Sequence, residues 1–407
     1  MPRPSHIPVD LVIGFDAFET STIDSMLTRA ESWRERGPVL WTDQNHGHWV
    51  VLGASEARRV LTDQEFFSSA VPNKGVTGLL PVERAPQVPV EMDGAEHRSY
   101  RKLLIPLFSP RRMRLLDEEI RVLARQLIAQ FVDRGSCDIV ADYARPMVSA
   151  MFLRLMDWPA ADRLHLERLT SLEIDGGSGT PEERATMKQR ANLLMNEYVQ
   201  DRIAEHRGST DPADVTAALV HSTVDGEPIS EPNLLGLLRL LMIGGLDTTQ
   251  SVLSQTITYL ASRPQLQYTV RSEPKALPEI VEECLRLHPA ALISRTAVRD
   301  IDLGNAPIRS GDVVLPLFPA INRDPAEFPE PTRLESERPN GHQHLTFGAG
   351  AHMCIGAPLA RTVLVAAIDE FHRAISAYRV TNAESHIGLV WAMNRVDLAV
   401  EPAPVAV

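Results

Sequence analysis

The sequence predicts a mainly α-helical protein with a minor β part. Long runs with a 3.6-residue hydrophobic period recur along the chain, the longest of them at 181–206 and 230–263. Short apolar runs bounded by turn residues, at 39–42 and 48–52, predict a β-hairpin. No Gly/Ser linker, charge block or low-complexity tract divides the sequence, so we expect one domain over residues 1–407.

Composition excludes several classes of protein. Hydrophobic residues make up 44% and charged residues 23%, as in an ordinary globular protein with a sizeable core. Three cysteines are too few and too scattered for a disulfide framework. The N-terminal stretch lacks an apolar run long enough for a signal peptide or an anchor, so we expect a cytoplasmic protein without a membrane segment. The net charge of −12 argues against nucleic acid as a partner.

The remaining elements follow from periodicity and from capping and breaking residues. Helices are predicted at 23–36, 54–61, 95–107, 110–133, 139–156, 160–172, 181–206, 212–220, 231–263, 278–287 and 358–377. Strands are predicted at 39–42, 48–52, 292–298, 308 and 313–318, with a hairpin at the C-terminal end. The stretch 67–93 carries four prolines and no period, as functional or mobile loops do. The glycine-rich break at 176–179 suits either a lid or a plain loop.

The segment FGAGAHMCIGAPLAR, residues 347–361, places Cys354 in a short loop directly before a predicted helix. Such a loop supplies backbone donors and the positive end of the helix dipole, which together favour a thiolate. We expect Gly348, Gly350 and Gly356 to adopt positive φ, so that several N–H groups converge on the sulfur and a flat cofactor can approach. The alternative is a buried free cysteine beside an ordinary glycine turn.

The longest predicted helix breaks helix rules at its centre, LLMIGGLDTTQ. Gly244 and Gly245 lower helix propensity, and Asp247 and Thr248 place polar groups in an apolar helix. Departures of this kind cluster at functional sites. In the alternative interpretation, Thr248 bonds back to the carbonyl four residues earlier and a glycine admits a neighbouring helix. Arg239 in the same run argues against a membrane span.

The spacing of Phe347, Gly350, His352, Cys354 and Gly356 fits the pattern F-x-x-G-x-H-x-C-x-G, by which haem is held through an axial cysteine. The segment therefore resembles the cytochrome P450 family, and the lack of an anchor resembles its soluble bacterial type. The run Gly-Gly-x-Asp-Thr earlier in the chain resembles the oxygen-binding groove of that family.

Two further motifs are similar to haem-carboxylate sites of the family. In the run MDGAEHRSYRKLL, His97 and Arg101 stand four residues apart, as in the family helix that holds a haem propionate. Gly94 and Ala95 depart from the Pro-Pro often found there. Arg295 stands where the family places a second propionate donor. Read without the resemblance, these residues are a solvated cation pair and a surface strand arginine.

Glu283 and Arg286 match the family's structural E-x-x-R, which braces the haem-binding core. Taken alone, this spacing is typical of a routine surface ion pair. The four anchors occur in family order, and the resemblance covers nearly the whole chain. It implies the cytochrome P450 fold, a helical prism with haem between the long central helix and the cysteine loop.

The resemblance implies a haem-thiolate monooxygenase that binds one haem b (heme, iron protoporphyrin IX) and inserts one oxygen atom from O₂ into a small organic substrate. Cys354 would be the iron ligand, and Asp247 and Thr248 would deliver the protons for catalysis. The other residues expected to contact the cofactor are His97, Arg101, Gly244, Arg295, Phe347, His352 and Gly356.

The expected substrate is largely apolar, because the residues implied to line its pocket are Leu241, Gly245, Ala291, Leu292, Ile293 and Leu389. The turn of the C-terminal hairpin, near 388–391, should reach this pocket. Arg84 could tether an acidic substrate, although a solvated arginine is the simpler interpretation.

We expect electrons to come from a separate ferredoxin and ferredoxin reductase. The basic patch, defined as Arg98, Lys102, Arg111, Arg112 and Arg114, could dock an acidic ferredoxin or simply be a solvated helix face. Two other functions remain open: a peroxygenase that uses hydrogen peroxide, and a haem-binding scaffold or sensor. Retention of Asp247 and Thr248 favours the monooxygenase over both.

Overall fold

A computed structural model describes residues 3–71, 87–176, 180–209 and 214–404. Its α-helices are α1 Ile23–Arg34, α2 Ala54–Thr62, α3 Gly94–Leu107, α4 Pro110–Arg114, α5 Asp117–Ala129, α6 Arg145–Met156, α7 Arg163–Asp175, α8 Pro181–His206, α9 Val215–Val220, α10 Glu231–Ala261, α11 Pro264–Ser272, α12 Leu277–Leu287, α13 Phe318–Ile321 and α14 Ala357–Ala374. Its strands are β1 Val12–Ile13, β2 Val39–Thr42, β3 His48–Val51, β4 Phe67–Ser68, β5 Ser136–Asp138, β6 Thr223–Val224, β7 Glu227–Pro228, β8 Arg295–Ala297, β9 Ile301–Leu303, β10 Ala306–Ile308, β11 Val313–Pro316, β12 Ile375–His386 and β13 Ala392–Pro402. The predicted class, mainly α with a minor β part, is confirmed.

The largest sheet joins the N-terminal region of the chain to residues 295–316. Its strand order is β1-β2-β3-β11-β8-β4, and β2 and β3 form the predicted antiparallel hairpin. Strand β11 pairs parallel to β3 and antiparallel to β8, with Val314 opposite Arg295. Strand β4 completes the edge by pairing with β8, which places Ser68 opposite Thr296. The sheet thereby holds Arg295 on a buried strand, β8, between β11 and β4.

Helix α10 crosses the interior. Its 31 residues span about 46 Å at the helical rise of 1.5 Å per residue. Its first half packs with α6 and α8 in one hydrophobic cluster, and its second half packs with α12 and α14 in another. The polar residues 247–251 lie between these two clusters. Thr248 and Ser251 donate to the carbonyls four residues earlier, at 2.8 and 2.6 Å, so their hydroxyls are satisfied inside the helix.

Several predicted helices have different bounds in the structure, and two of these differences have a clear physical reason. The helix expected at 110–133 is split at Leu115, which is 76% exposed, and a new helix begins at Asp117. Three consecutive acidic residues open that second helix, and they favour a helix N-terminus through its dipole. The helix expected to reach Ala377 ends at Ala374, because Ile375 begins strand β12 and pairs with Pro402.

The C-terminal hairpin of β12 and β13 is confirmed, with β5 added along the outer side of β13. Its turn reaches the segment after α12: the Leu292 N–H donates to the Leu389 carbonyl at 2.8 Å, and Ala291 forms a β-bridge with Val390. Within the residues that the structure describes, no helix is both long enough and apolar enough to span a bilayer.

Candidate active site

The Cys354 loop is held open by backbone hydrogen bonds. The Cys354 N–H donates to the Phe347 carbonyl at 2.8 Å, and the Gly348 N–H donates to the Leu345 carbonyl at 2.8 Å. Gly350 has φ +69°, and a Cβ there would lie 3.2 Å from the carbonyl oxygen of Leu61 in α2. Positive φ and the close approach of α2 both require glycine at this position.

The prediction of positive φ is confirmed for Gly348 and Gly350 but is wrong for Gly356, which has φ −80°. Gly356 is the N-cap of α14 and already has helical backbone angles. A Cβ there would lie 3.8 Å from the sulfur of Cys354, within ordinary contact distance. The first turn of α14 therefore begins directly beside the sulfur.

Cys354 is accessible to solvent, although protein atoms also surround its thiol. Burial is the largest influence on its thiol and raises its pKa. Hydrogen bonds from the backbone N–H groups of Gly356 and Ala357, together with the charges of Arg101 and Arg361, act in the opposite direction. The sulfur thus lies in a low-dielectric cleft with donors and cations aimed at it, an arrangement suited to an anionic sulfur that binds a metal.

The other two cysteines lack these features. Both are buried, and burial raises the pKa of Cys137 and of Cys284 to about 12. They are inert thiols of the core.

The middle of α10 borders open space at Gly244. Gly244 is exposed although its helix crosses the core, and a Cβ there would meet no heavy atom within 4 Å. Gly245 differs, because a Cβ on it would lie 3.1 Å from Cδ2 of Phe152 in α6. Gly244 therefore borders open space, whereas Gly245 admits a neighbouring helix. The place of Gly245 beside the substrate stays a prediction.

Helix α10 keeps its regular turns past Thr248. The helix is a continuous α-helix from Glu231 to Ala261, and the Thr248 hydroxyl donates to the Gly244 carbonyl at 2.8 Å. Its oxygen keeps lone pairs with which to accept a hydrogen bond. Asp247 does not share this face, and its Oδ1 accepts from Nε2 of Gln250 at 2.6 Å.

Four basic side chains converge near the cysteine loop. The rings of His97 and His352 stack with centroids 4.0 Å apart. Burial, His352 and Arg101 lower the pKa of His97 to about 4, and Arg295 contributes in the same direction. Arg295 is 2% exposed, and its burial lowers the pKa of the guanidinium to about 10. The two guanidinium groups, Arg101 and Arg295, remain positively charged in these partly or fully buried positions, and such charges call for an anion.

Asp93 is the site residue that sequence reasoning missed. Its Oδ1 lies 3.1 Å from Nε2 of His352, and its Oδ2 accepts from the Ser68 hydroxyl at 2.5 Å and the Ser69 N–H at 3.2 Å. Burial opposes ionisation, but the bonds from His352 and Ser68 lower the pKa of Asp93 to about 2. Its place immediately before α3 was the available signal, since such a position is usual for an acidic cap.

The donor set fits haem b. Nδ1 of His352 is buried and has no hydrogen-bond partner among the described residues. Because Nε2 donates to Asp93, Nδ1 can donate to a ligand oxygen when both ring nitrogens carry a proton. With Arg101, Arg295 and His97 it forms a group suited to carboxylates, and the haem carries two propionates. A thiol with converging donors supplies the fifth ligand position that a haem iron requires.

The E-x-x-R pair is fully buried, so its interpretation as a surface pair is wrong. Both Glu283 oxygens accept from Arg286, at 2.6 and 2.9 Å, and Oε2 also accepts from Nε of Arg338 at 3.0 Å. Arg286 donates further to the carbonyls of Asn322, Pro331 and Arg333. The pair thus binds α12 to the long segment that leads to the cysteine loop, which agrees with a structural role.

The residues expected to line the substrate pocket pack in two different hydrophobic clusters. Leu292, Ile293 and Leu389 belong to the hydrophobic cluster of the large sheet. Leu241 packs against the cluster of α6 and α8. Arg84 and residues 177–179 of the glycine-rich break lie outside the described residues.

The basic patch is largely exposed: Arg98, Lys102, Arg111 and Arg114 face solvent, whereas Arg112 is half-buried and has a partner. Ile105, Leu115 and Met353 are exposed apolar side chains from α3, the α4–α5 junction and the cysteine loop. Positive charge and apolar area therefore coexist on elements that adjoin Cys354.

Another possible metal-ligand group lies on other elements, at the ends of α6 and α8 and before α9. Asp157, His206 and Asp214 bring their ligand atoms within 4.8 Å of one another. However, Nδ1 of His206 lies 2.7 Å from the Arg202 carbonyl, and Nε2 lies 3.1 Å from the Asp157 carbonyl. Both bonds need N–H donors, whereas a metal needs a bare lone pair, so we assign no metal there.

Known proteins share this architecture and sequence. The sequence model of the family "Cytochrome P450" matches residues 179–374. A probable cytochrome P450 127A1 from Sinorhizobium fredii is 31% identical, over 98% of this chain and 96% of its own length. The mycinamicin IV hydroxylase/epoxidase of Micromonospora griseorubida is 31% identical, over 83% of this chain and 85% of its own.

The crystal structure of cytochrome P450 CYP101C1 superimposes with a TM-score of 0.86 at 27% identity, covering 98% of this chain and 99% of that one. This agreement extends over nearly the whole fold that surrounds Cys354 and Gly244. With a cysteine loop and a basic group that fit haem, the chain belongs to the cytochrome P450 family of haem-dependent monooxygenases.

Proposed function

We propose that this protein inserts one oxygen atom from O₂ into a largely apolar small molecule, with electrons from a separate ferredoxin and ferredoxin reductase. The observation that carries the proposal is the presence of two accessible surfaces. One holds Cys354 with its converging donors, and the other holds Gly244 with Thr248 one turn later. We assign both to one cleft that receives haem b.

Bound haem supplies iron that takes up O₂ and, with a thiolate ligand, cleaves the O–O bond. Cys354 would be that ligand, with the N–H groups of Gly356 and Ala357 holding its charge. Arg101 and Arg295 would bind the haem carboxylates. Their burial supports this role, because a buried guanidinium is stabilised by a bound anion.

We assign proton delivery to Asp247 and Thr248. The Thr248 hydroxyl already has an acceptor in the Gly244 carbonyl, so its oxygen is free to accept from a water in the cleft. That water would be held where a proton is needed. Asp247 lies one residue earlier on another face of α10, where it can take protons from outside the cleft.

The substrate pocket would be lined by Leu241, Ala291, Leu292, Ile293 and Leu389. The bond between Leu292 and Leu389 supports the proposal, because it fixes the hairpin turn against the segment after α12. We propose a single domain over 1–407 and a cytoplasmic location. Matches over nearly the full chain support the first, and free cysteines support the second.

The test is product and peroxide formed per NADH oxidised, in a reconstituted ferredoxin system, with a substrate found by displacement of the ferric haem water. Thr248→Ala should bind haem and substrate normally but divert most reducing power to peroxide, because the water is no longer held. Asp247→Asn should slow turnover by about tenfold or more.

Thr249→Ala is the matched control, since it removes a hydroxyl from the adjacent position. It should keep both rate and coupling. Full coupling in Thr248→Ala, with a substrate that carries no hydroxyl of its own, would refute the role of this residue. Product formation with hydrogen peroxide alone, and none with NADH and the donor proteins, would identify a peroxygenase instead.

A further inference from the structure

Asp247 faces a polar cavity that is separate from the face of Gly244. The cavity has a volume of about 310 Å³ and lies between α6, α7, α10 and the C-terminal hairpin. Asp247 and Gln250 line it from α10, and Glu167, Arg168 and His386 line it from the other elements. It is large enough for several waters, and its charged lining can hold them.

Helix geometry places Asp247 between this cavity and the cleft. Gly244 and Thr248 are four residues apart and therefore share one face of α10. Asp247 and Gln250 are three residues apart and share another face, rotated by about 100° from Thr248. A carboxylate at this position can exchange protons with cavity water and lies next to the residue that holds the cleft water.

The Gln250 side chain forms hydrogen bonds with both Asp247 and Arg145, so its amide links the carboxylate to the guanidinium. Its Nε2 donates to Asp247 Oδ1 at 2.6 Å, and its Oε1 accepts from Nε of Arg145 at 3.3 Å. Arg145 is the first residue of α6, which packs along α10. Arg145 orients the amide of Gln250, and the amide in turn orients the Asp247 carboxylate. An amide stabilises a carboxylate less than a direct ion pair does.

We propose that Gln250 is a positioning residue for the proton supply: it orients Asp247 at the cavity wall and separates it from Arg145, so that the cavity is the route by which solvent protons reach Asp247. The proposal rests on the proposed function of Asp247. Each oxygen insertion combines O₂, substrate C–H, two electrons and two protons into an alcohol and water. The electrons come from the ferredoxin, and both protons come from solvent.

Gln250→Met tests the orientation. Methionine keeps nearly the same length and volume but makes neither hydrogen bond. We expect normal haem content, normal substrate affinity and unchanged KM, because residue 250 does not share the cleft face. Turnover should fall by about three- to tenfold, and the solvent deuterium isotope effect on turnover should rise, because proton delivery becomes slower.

Gln255→Met is the matched control on the same helix, since its amide donates to the Trp391 carbonyl at 3.1 Å and not to Asp247. It should lower stability without changing the isotope effect. Ser171→Leu tests the route separately, because Ser171 is an exposed residue of the cavity lining and leucine would displace water. It should lower turnover and raise the isotope effect as Gln250→Met does.

Several outcomes would overturn the proposal. If Gln250→Met keeps wild-type turnover and isotope effect while Asp247→Asn is slow, Gln250 is not a positioning residue, and the proposed function stands. If Ser171→Leu changes neither quantity, the cavity is not the route. If Asp247→Asn itself turns over normally, the role proposed for Asp247 fails and that of Gln250 fails with it.

Discussion

The three cysteines of this chain lie in two kinds of surroundings. Cys137 and Cys284 lie among apolar side chains, where burial keeps the thiol protonated. Cys354 is also surrounded by protein, but two backbone N–H groups and two arginines act on its sulfur. Metal binding removes the thiol proton, and these donors and cations would then stabilise the thiolate.

The first prediction separates these cysteines. The reduced CO complex of the wild-type protein should show the Soret band typical of thiolate ligation. Cys354→Ser should lose that band, whereas Cys137→Ser and Cys284→Ser should keep it because both thiols are inert. A thiolate-type spectrum in Cys354→Ser would rule out the assigned ligand.

His372 is a buried titratable residue whose neutral ring contributes to the stability of the fold. Its Nδ1 donates to the Ile368 carbonyl at 2.8 Å, and its Nε2 accepts from the Tyr378 hydroxyl at 3.0 Å. Both bonds suit the neutral ring. Burial, which is the largest influence, lowers the pKa of His372 from 6.5 to about 4.

The second prediction follows from this pKa shift. Between pH 6.5 and about 4 the unfolded chain binds the proton more readily than the native protein. The stability contributed by the neutral ring is therefore complete above pH 6.5 and is lost as the pH falls. Between pH 7 and pH 5, His372→Gln should lose about 2 kcal/mol less of its free energy of unfolding than wild type, measured by urea titration. Equal losses in the two proteins would contradict the assignment.

At the scale of elements, helix α10 combines two kinds of glycine. Gly245 allows α6 to approach, as Phe152 shows, and Gly244 borders open space. The two positions are adjacent in sequence, so periodicity alone could not assign them. The assignment depends on which helix lies beside each face, and that depends on the whole fold.

The third prediction concerns Gly244→Ala. An exposed glycine in mid-helix costs about 1 kcal/mol relative to alanine, so the substitution should raise the thermal unfolding midpoint of the protein. The added methyl group would narrow the cleft and should weaken binding of CO and substrate. Gly245→Ala is the control: its methyl group meets Phe152, and the cleft should be unaffected. If both variants bind CO as wild type does, Gly244 does not border the ligand site.

Long periodic helices and the order of the motifs were predictable from sequence because local patterns determine them. The contacts of the site were not. Asp93 meets His352 across 259 positions of the chain, and Arg338 reaches Glu283 across 55. No local pattern identifies such partners. The conformation of Gly356 was also mispredicted, since a glycine directly before a helix can already adopt helical backbone angles.

At the scale of the whole molecule, charge is unevenly distributed. The chain carries a net charge of −12, yet the basic patch lies on α3 and α4, next to the elements that hold Cys354. Arg101, half-buried on the same helix α3, acts electrostatically on the sulfur of Cys354. A partner that delivers electrons to a bound haem must approach within a short distance of it, and this face offers both positive charge and exposed apolar area.

The last prediction is that an acidic ferredoxin docks on this face. Complementary charge raises the rate of encounter, and salt screens this effect over about 10 Å at 0.1 M. Arg111→Glu with Arg114→Glu reverses two exposed charges and should lower the second-order rate of haem reduction by about tenfold or more at low salt. The loss should shrink as salt is added, because screening weakens the attraction in wild type and the repulsion in the variant.

Arg134→Glu with Arg379→Glu makes the same change of net charge at two other exposed positions and should have a small effect. Equal rates and equal salt dependence in the first variant and wild type would place the docking site elsewhere, whereas equal losses in both variants would show that net charge, and not this face, governs the encounter.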